Sequence, residues 1–284
     1  MHSLIRRGHK LATDIMGNSV TPLQAAKEAS REELSVYAGG PFWSEKFDGE
    51  AIIRYAPRGP ASKAMNPAIT VVELLTMAAR KRPVKPALQQ EPPALTALID
   101  GKKAPPPVPR EQWRIWTWAD YLKDVRRAAR SMISLGFLQH DACTIFGFNS
   151  PEWMIGCVGA MFAGGKASGV YPSDTAEQFQ YKCHHSRSSI VIVESLEHLE
   201  LVKKVLPDLP YLKAIVVWAA APKEENIGDV KIMFWEEFLA RSDRVKDSEL
   251  DARTAMIHPG HPCSLIYTSG TSKSRKQISK LTSC

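Results

Sequence analysis

Four hydroxyl side chains, Thr268, Ser269, Thr271 and Ser272, are arranged around Gly270 directly after the apolar run Leu265-Ile266-Tyr267. Hydroxyls and backbone N–H groups can donate to phosphate oxygens, and glycine lets the backbone approach closely or turn tightly. Lys273, Arg275 and Lys276 follow at once and would add the positive charge that a triphosphate needs. On composition alone, a Ser/Thr-rich surface loop with a basic end reads equally well. The sequence has no G-x-x-x-x-G-K-[ST] and no G-x-G-x-x-G opening a helix, so P-loop NTPase, kinase and Rossmann dehydrogenase chemistry lose their main warrant.

Two other clusters invite a metal reading, Cys183-His184-His185 and the pair His258 and His261. Neither has a matching ligand pair at zinc-site spacing, so the first reads as a helix surface and the second as a Pro/Gly-rich loop. No metal ligand and no catalytic side chain is assigned. The five cysteines are odd in number and lack any C-x-x-C spacing, which suits free thiols in a reducing compartment.

The elements that would position the hydroxyl loop are legible upstream. Thr70 with Glu73 makes a capping box, and Val71, Leu74, Leu75 and Ala78 recur at helical spacing until Pro83. Arg114–Thr117 reads as a short strand, and Thr117 caps a helix with Tyr121, Leu122, Val125, Ala129 and Met132 on its buried side, stopped by Gly136. Cys143–Phe148 is a strand, and Ser150-Pro151 opens a helix closed by Gly164-Gly165. Strands follow at Ser168–Tyr171, Ser189–Val193, Ala214–Trp218 and Ser264–Tyr267. Helices intervene at Thr175–His185, Ser195–Leu206 and Phe234–Ala240. Short apolar strands alternating with amphipathic helices predict an α/β fold with a mostly parallel, doubly wound sheet and flanking helices. Ligands of such sheets bind beyond the carboxyl ends of the strands, which directs attention to the loops after Phe148, Tyr171, Val193, Trp218 and Tyr267.

Three segments are expected: an N-terminal extension over 1–65, a nucleotide-binding domain over 66–271 containing a Pro-rich linker at 83–110, and a basic tail over 272–284. The net charge of +7 is concentrated in that tail; removing Lys273, Arg275, Lys276 and Lys280 leaves +3. No basic stripe interleaved with aromatics and no zinc-finger or helix-turn-helix signature is present, so nucleic acid is not an expected partner. No run reaches the roughly 18–20 apolar residues that span a bilayer. Asp14 interrupts the basic N-terminus, so a cytoplasmic location or a peripheral one on intracellular membranes is expected, with mitochondrial targeting as the secondary reading.

LIYTSGT resembles the first part of the phosphate-loop signature YTSGTTGxPK of the adenylate-forming superfamily, which includes the acyl-CoA synthetases and luciferases. The upstream text agrees with it. Trp116-Thr117-Trp118-Ala119-Asp120-Tyr121 is similar to the T-W-x-x-Y start of an early helix in long-chain acyl-CoA synthetases. Asn149-Ser150-Pro151-Glu152-Trp153, Phe162-Ala163-Gly164-Gly165, Gly169-Val170-Tyr171 and His258-Pro259-Gly260-His261-Pro262 resemble the bubblegum-like subgroup of long-chain fatty acid–CoA ligases. The resemblance covers residues 113–271 well and 66–112 loosely.

It implies an incomplete adenylate-forming N-terminal domain and a two-step reaction with fatty acid, ATP and CoA as substrates and Mg²⁺ as the screening ion. A carboxylate attacks the α-phosphorus of ATP, pyrophosphate leaves, and the CoA thiol then displaces AMP. Thr268, Ser269, Gly270, Thr271, Ser272 and Lys276 fall on the family's phosphate-binding positions. Lys273 stands where the family has glycine and Arg275 where it has proline. The tail after Ser272 shows neither the apolar strand nor the helix that should follow. The family's adenine segment, Mg²⁺-binding Glu, ribose-binding Asp and catalytic lysine lie downstream and have no counterpart here. Full ligase activity by this chain alone is therefore not expected. The alternative is a non-catalytic nucleotide- or acyl-binding or interaction module, and an unpaired sheet edge would favour its self-association.

Overall fold

Residues 46, 48–92, 107–268 and 278–283 are described by the computed structural model of this protein. In chain order they form α1 (Val71–Lys81), β1 (Pro86–Gln90), β2 (Arg114–Thr117), α2 (Trp118–Ser134), β3 (Ala142–Phe146), α3 (Pro151–Phe162), β4 (Lys166–Val170), α4 (Ala176–Ser186) and β5 (Ser188–Val193). They continue with α5 (Leu196–Val205), β6 (Ala214–Val217), β7 (Asn226–Ile227), β8 (Val230–Phe234), α6 (Trp235–Ala240), α7 (Asp247–Thr254), β9 (Pro262–Thr268) and β10 (Ile278–Ser283).

The helix starts follow from side chains that satisfy N–H groups left without intrahelical partners. Thr70 with Glu73, Thr117 with Asp120 and Thr175 with Gln178 form reciprocal capping boxes. Ser150 accepts from the Trp153 N–H, with Pro151 in the first turn, and Ser195 caps α5. Gly136 and Gly164 adopt φ of 83° and 82° at the two helix ends where a left-handed residue lets the chain turn away.

Eight strands form one sheet in the order β10-β9-β4-β3-β5-β6-β8-β7. The six from β9 to β8 run parallel, and β7 and β10 are antiparallel edges. β3, β5 and β6 are buried along their whole length, because helices cover both faces. Alternate residues divide between two cores: Ile190, Ile192 and Val216 join Val125, Met132, Ile155 and Phe162 from α2 and α3. Val191, Val193, Ile215 and Val217 join Phe179, Leu199 and Val202 from α4 and α5. Each fully buried side chain of this size contributes about 1.5–3 kcal/mol relative to exposure.

Several elements differ from the sequence expectations. A strand, β1, lies within the Pro-rich stretch 83–110 and pairs antiparallel with β2 in a separate two-stranded sheet. Proline is tolerated there because Pro86 begins the strand. β7 and β8 form a hairpin through Gly228-Asp229, with Gly228 at φ 57°. α7 buries only Leu250, too little to leave an apolar period. In the tail, Ile278–Ser283 pairs antiparallel with β9 from Thr268 to Pro262, so the edge of β9 expected to be open is covered. Backbone N–H and C=O groups along that edge gain partners, which a strand supplies whatever its side chains. The strand expected over Cys143–Phe148 ends at Phe146, because Gly147 turns the chain at φ 154°.

The chain separates into two units, residues 1–43 with 54–67, and residues 44–53 with 68–284. In the described part of the first, the Ala56 N–H donates to the Ala61 carbonyl and Asn66 to the Pro60 carbonyl, closing a turn around Gly59. In the second, Cys143, Cys157 and Cys183 are buried free thiols, all pushed up by burial and so kept as unreactive S–H groups. Cys263 is disulfide-bonded, against the expectation of a thiol. No described helix is long and apolar enough to cross a membrane.

Candidate functional site

The helices after β3 and β5 pack on opposite faces of the sheet, so the strand order reverses between these two neighbours. A crevice beyond their carboxyl ends is where open sheets commonly take ligands. Here that place is filled by the chain itself. A Cβ on Gly147 would lie 2.5 Å from the Trp218 ring and 2.6 Å from Glu194 Cβ, so only glycine permits this closure. Glu194, which directly follows β5, accepts the Phe148 N–H at 2.9 Å, and its own N–H donates to the Phe146 carbonyl at 3.0 Å. Burial pushes the Glu194 carboxyl up, the Phe148 N–H pulls it back, and the Glu152 carboxylate adds to the rise. Glu152 is itself held by Arg114 at 3.1 Å.

Two strands further along, the ends of β4 and β9 are fastened together. Lys182 of α4 is buried and ion-paired with Asp174 in the loop after β4. Asp174 also accepts the Tyr171 N–H at 3.0 Å. The Lys182 ammonium lies 5.2 Å from the Tyr171 ring and 5.9 Å from the Tyr267 ring, within cation–π range. Tyr267, buried in β9, donates its phenol proton to the Lys182 carbonyl at 3.1 Å. With that proton committed, the 2.9 Å contact to His185 Nδ1 requires His185 to donate. Burial pushes the Tyr267 phenol up, so it stays a neutral anchor.

Thr268, the last residue of β9, is exposed immediately beyond this anchor. Of the six positions predicted to bind phosphate, Thr268 alone is described; Ser269, Gly270, Thr271, Ser272 and Lys276 lie outside the described residues. Lys182 and Asp174 left no signal in the sequence and His185 read there as helix surface, because their meeting with Tyr267 depends on β4 pairing with β9 at Ser168↔Leu265. Glu194 did leave a signal: a carboxylate placed directly after the apolar run Ile190 to Val193.

A groove of about 570 Å³ lies elsewhere, lined on α1 and α2 by Arg80, Lys123, Arg126 and Arg130. Two of its arginines are already paired: Arg126 with Asp247 and Asp251, each at 2.9 Å, and Arg130 with Asp247 at 3.4 Å. That arrangement reads as a helix-surface ion network.

A mostly parallel sheet flanked by helices on both faces places the chain in the α/β class. Residues 78–274 match the family described as AMP-binding enzyme, and the chain belongs to that family. It is 36% identical over 168 residues to the long-chain-fatty-acid–CoA ligase ACSBG2 of Xenopus laevis, covering 59% of this chain and 22% of that protein. It is 30% identical over 261 residues to ACSBG2 of Rattus norvegicus, covering 91% and 36%. The chain thus spans between a fifth and two fifths of the length of such relatives. Among solved structures, the anthranilate CoA ligase AuaEII in complex with anthranoyl-AMP superposes with a TM-score of 0.56 at 21% identity, over 75% of this chain and 35% of that one. The A-PCP didomain of carboxylic acid reductase from Segniliparus rugosus in complex with AMP gives 0.58 at 14%, over 77% and 33%. Both are likenesses of fold.

Proposed function

We propose that this chain carries the first part of the nucleotide-binding half of an ATP-dependent long-chain fatty acid–CoA ligase. In this reading Thr268, Ser269, Gly270, Thr271, Ser272 and Lys276 receive the β- and γ-phosphates of ATP. The observation that carries it is the anchored end of β9, where Tyr267 is fixed by Lys182 and His185 and Thr268 emerges exposed. A loop that positions a triphosphate contributes orientation and electrostatics, and needs a rigid base from which to do so.

The donor chemistry at this end of β9 fits the phosphates of ATP. The carboxylates at the same rim do not fit Mg²⁺, since Asp174 is engaged by Lys182 and Glu194 by the Phe148 N–H. We therefore assign residues 268–272 and Lys276 a role in ATP-phosphate recognition.

Thermal denaturation with and without millimolar ATP and Mg²⁺ tests this reading. Ligand at about ten times its Kd adds about 1.4 kcal/mol, a rise of a few degrees in Tm. Thr268→Val with Lys276→Ala should remove that rise. An absent rise, or one the double variant leaves intact, would overturn the assignment.

A further inference from the structure

We propose that Glu50, His258 and His261 form a binding site for a borderline divalent transition-metal ion of the zinc class. No single stretch of sequence reveals it, since Glu50 lies 208 residues before His258. The structure brings the carboxylate to the missing third position beside the H-x-x-H pair, with one ligand atom from each residue within 4.8 Å of the others.

The spacing of His258 and Glu50 is close to that of metal ligands, and His261 has to close in on them to complete the set. His258 Nδ1 lies 3.4 Å from Glu50 Oε2, and His261 Nε2 lies 3.9 Å from the same oxygen. Good N–H···O bonds close to about 2.9 Å. Ligand atoms at about 2.0–2.1 Å from a tetrahedral zinc stand about 3.3 Å apart. The two imidazole rings stack at 4.9 Å, and His140 meets the edge of His261 at 5.1 Å, which puts a third imidazole beside the cluster. Imidazole and carboxylate together suit Zn²⁺, Co²⁺ or Ni²⁺ over Mg²⁺, which prefers oxygen ligands alone.

The backbone is built to hold these groups together. The Ala51 N–H donates to the Gly260 carbonyl at 2.8 Å, and the His261 N–H to the His258 carbonyl at 3.0 Å. A Cβ on Gly260 would lie 2.3 Å from the Ala51 carbonyl and 2.6 Å from Glu50 Cγ, so glycine is what lets Glu50 approach the turn. Two features work against loading. His261 Nδ1 accepts the His258 N–H at 3.1 Å, so metal at Nε2 requires that bond to open and the ring proton to move to Nδ1. Lys166, buried nearby, adds positive charge, which Asp48 partly offsets. The turn is exposed at His258, so water can replace the lost backbone bond.

This site sits at the start of β9, seven residues and roughly 23 Å from Thr268 at about 3.3 Å per residue. Its role would be structural. A metal joining Glu50 to the 258–261 turn closes a very long loop, where cross-links restrict the unfolded chain most.

Isothermal titration with Zn²⁺ at about pH 7.5, in excess Mg²⁺, tests the proposal, with Co²⁺ absorption reporting the ligand geometry. One ion per chain is expected, with a raised Tm. Glu50→Gln and His258→Gln should each weaken binding roughly tenfold or more, since even outer-shell changes cost 10–100-fold. Both side chains are exposed, so an unchanged circular dichroism spectrum is expected. His184→Ala should leave the affinity unchanged. No binding by the intact chain, or equal binding by the Glu50 and His258 variants, would overturn the site.

Discussion

At the scale of single residues, the carboxyl edge of the sheet is governed by where charge is buried. Glu194 is 3% exposed and follows the apolar run of β5. Its folded pKa is raised from 4.5, with burial as the leading cause. The native state therefore holds this proton more tightly than the unfolded chain does, and the slope of stability with pH is negative for this group. Its contribution is fully present below about 4.5 and is lost as pH rises through the folded value. Glu194→Gln keeps an oxygen for the Phe148 N–H and removes the charge. Urea denaturation across about pH 4.5–7.5 should show the variant gaining stability over the parent as pH rises. A difference that is flat with pH, or that grows toward acid, would sink this account. The same scale explains how Tyr267 fixes the end of β9: a buried phenol with two hydrogen-bond partners is rigid, and Thr268 beyond it is exposed.

At the scale of elements, β10 changes what the molecule presents at its edge. β9 pairs with β4 through only Ala167↔Ser264 and Ser168↔Leu265, and its other side is occupied by β10 over six partners. Deleting Ile278–Cys284 should uncover a strand edge containing Leu265, Ile266 and Tyr267 and raise concentration-dependent self-association, read by light scattering. A variant as monodisperse as the parent would show that the β9 edge is protected by something else. β10 also marks where sequence reading fell short. Caps at fixed offsets made α1 to α5 legible, and continuous apolar runs did the same for β5 and β6. β1 was hidden by its prolines, α7 by having one buried side chain, and the β7–β8 hairpin by the shortness of its first strand. The residue types of the hydroxyl loop left a phosphate site and a plain surface loop equally open, and only the family resemblance favoured the first. The Lys182–Asp174–His185 support could not be read, because it is assembled by strand register across nearly a hundred residues. The Glu50 carboxylate beside His258 and His261 was invisible for the same reason.

At the scale of the whole molecule, two cores share one sheet. β5 sends Ile190 and Ile192 to one face and Val191 and Val193 to the other, so neither layer of helices can detach without exposing strands that the other needs. Cooperative unfolding of the second unit follows, because the free energy of each core depends on the same hydrogen-bonded strands β3, β5 and β6. Met132 and Phe179 are both fully buried, on opposite faces. Met132→Ala should cost about 2–5 kcal/mol and Phe179→Ala about 3–5 kcal/mol, from lost transfer energy and the cavity left behind. Each substitution, although confined to one face, should lower the exchange protection of β5 amides, and each variant should still melt in a single transition. If Phe179→Ala loosened only α4 and α5 while β5 and α2 kept their protection, the two layers would be separate folding units. The single-unit outcome bears on ligand recognition too, because the anchor of Tyr267 is a buried part of α4. Weakening the Phe179 core should then reduce any ATP-dependent rise in Tm, although Phe179 itself is far inside the protein and would touch no phosphate.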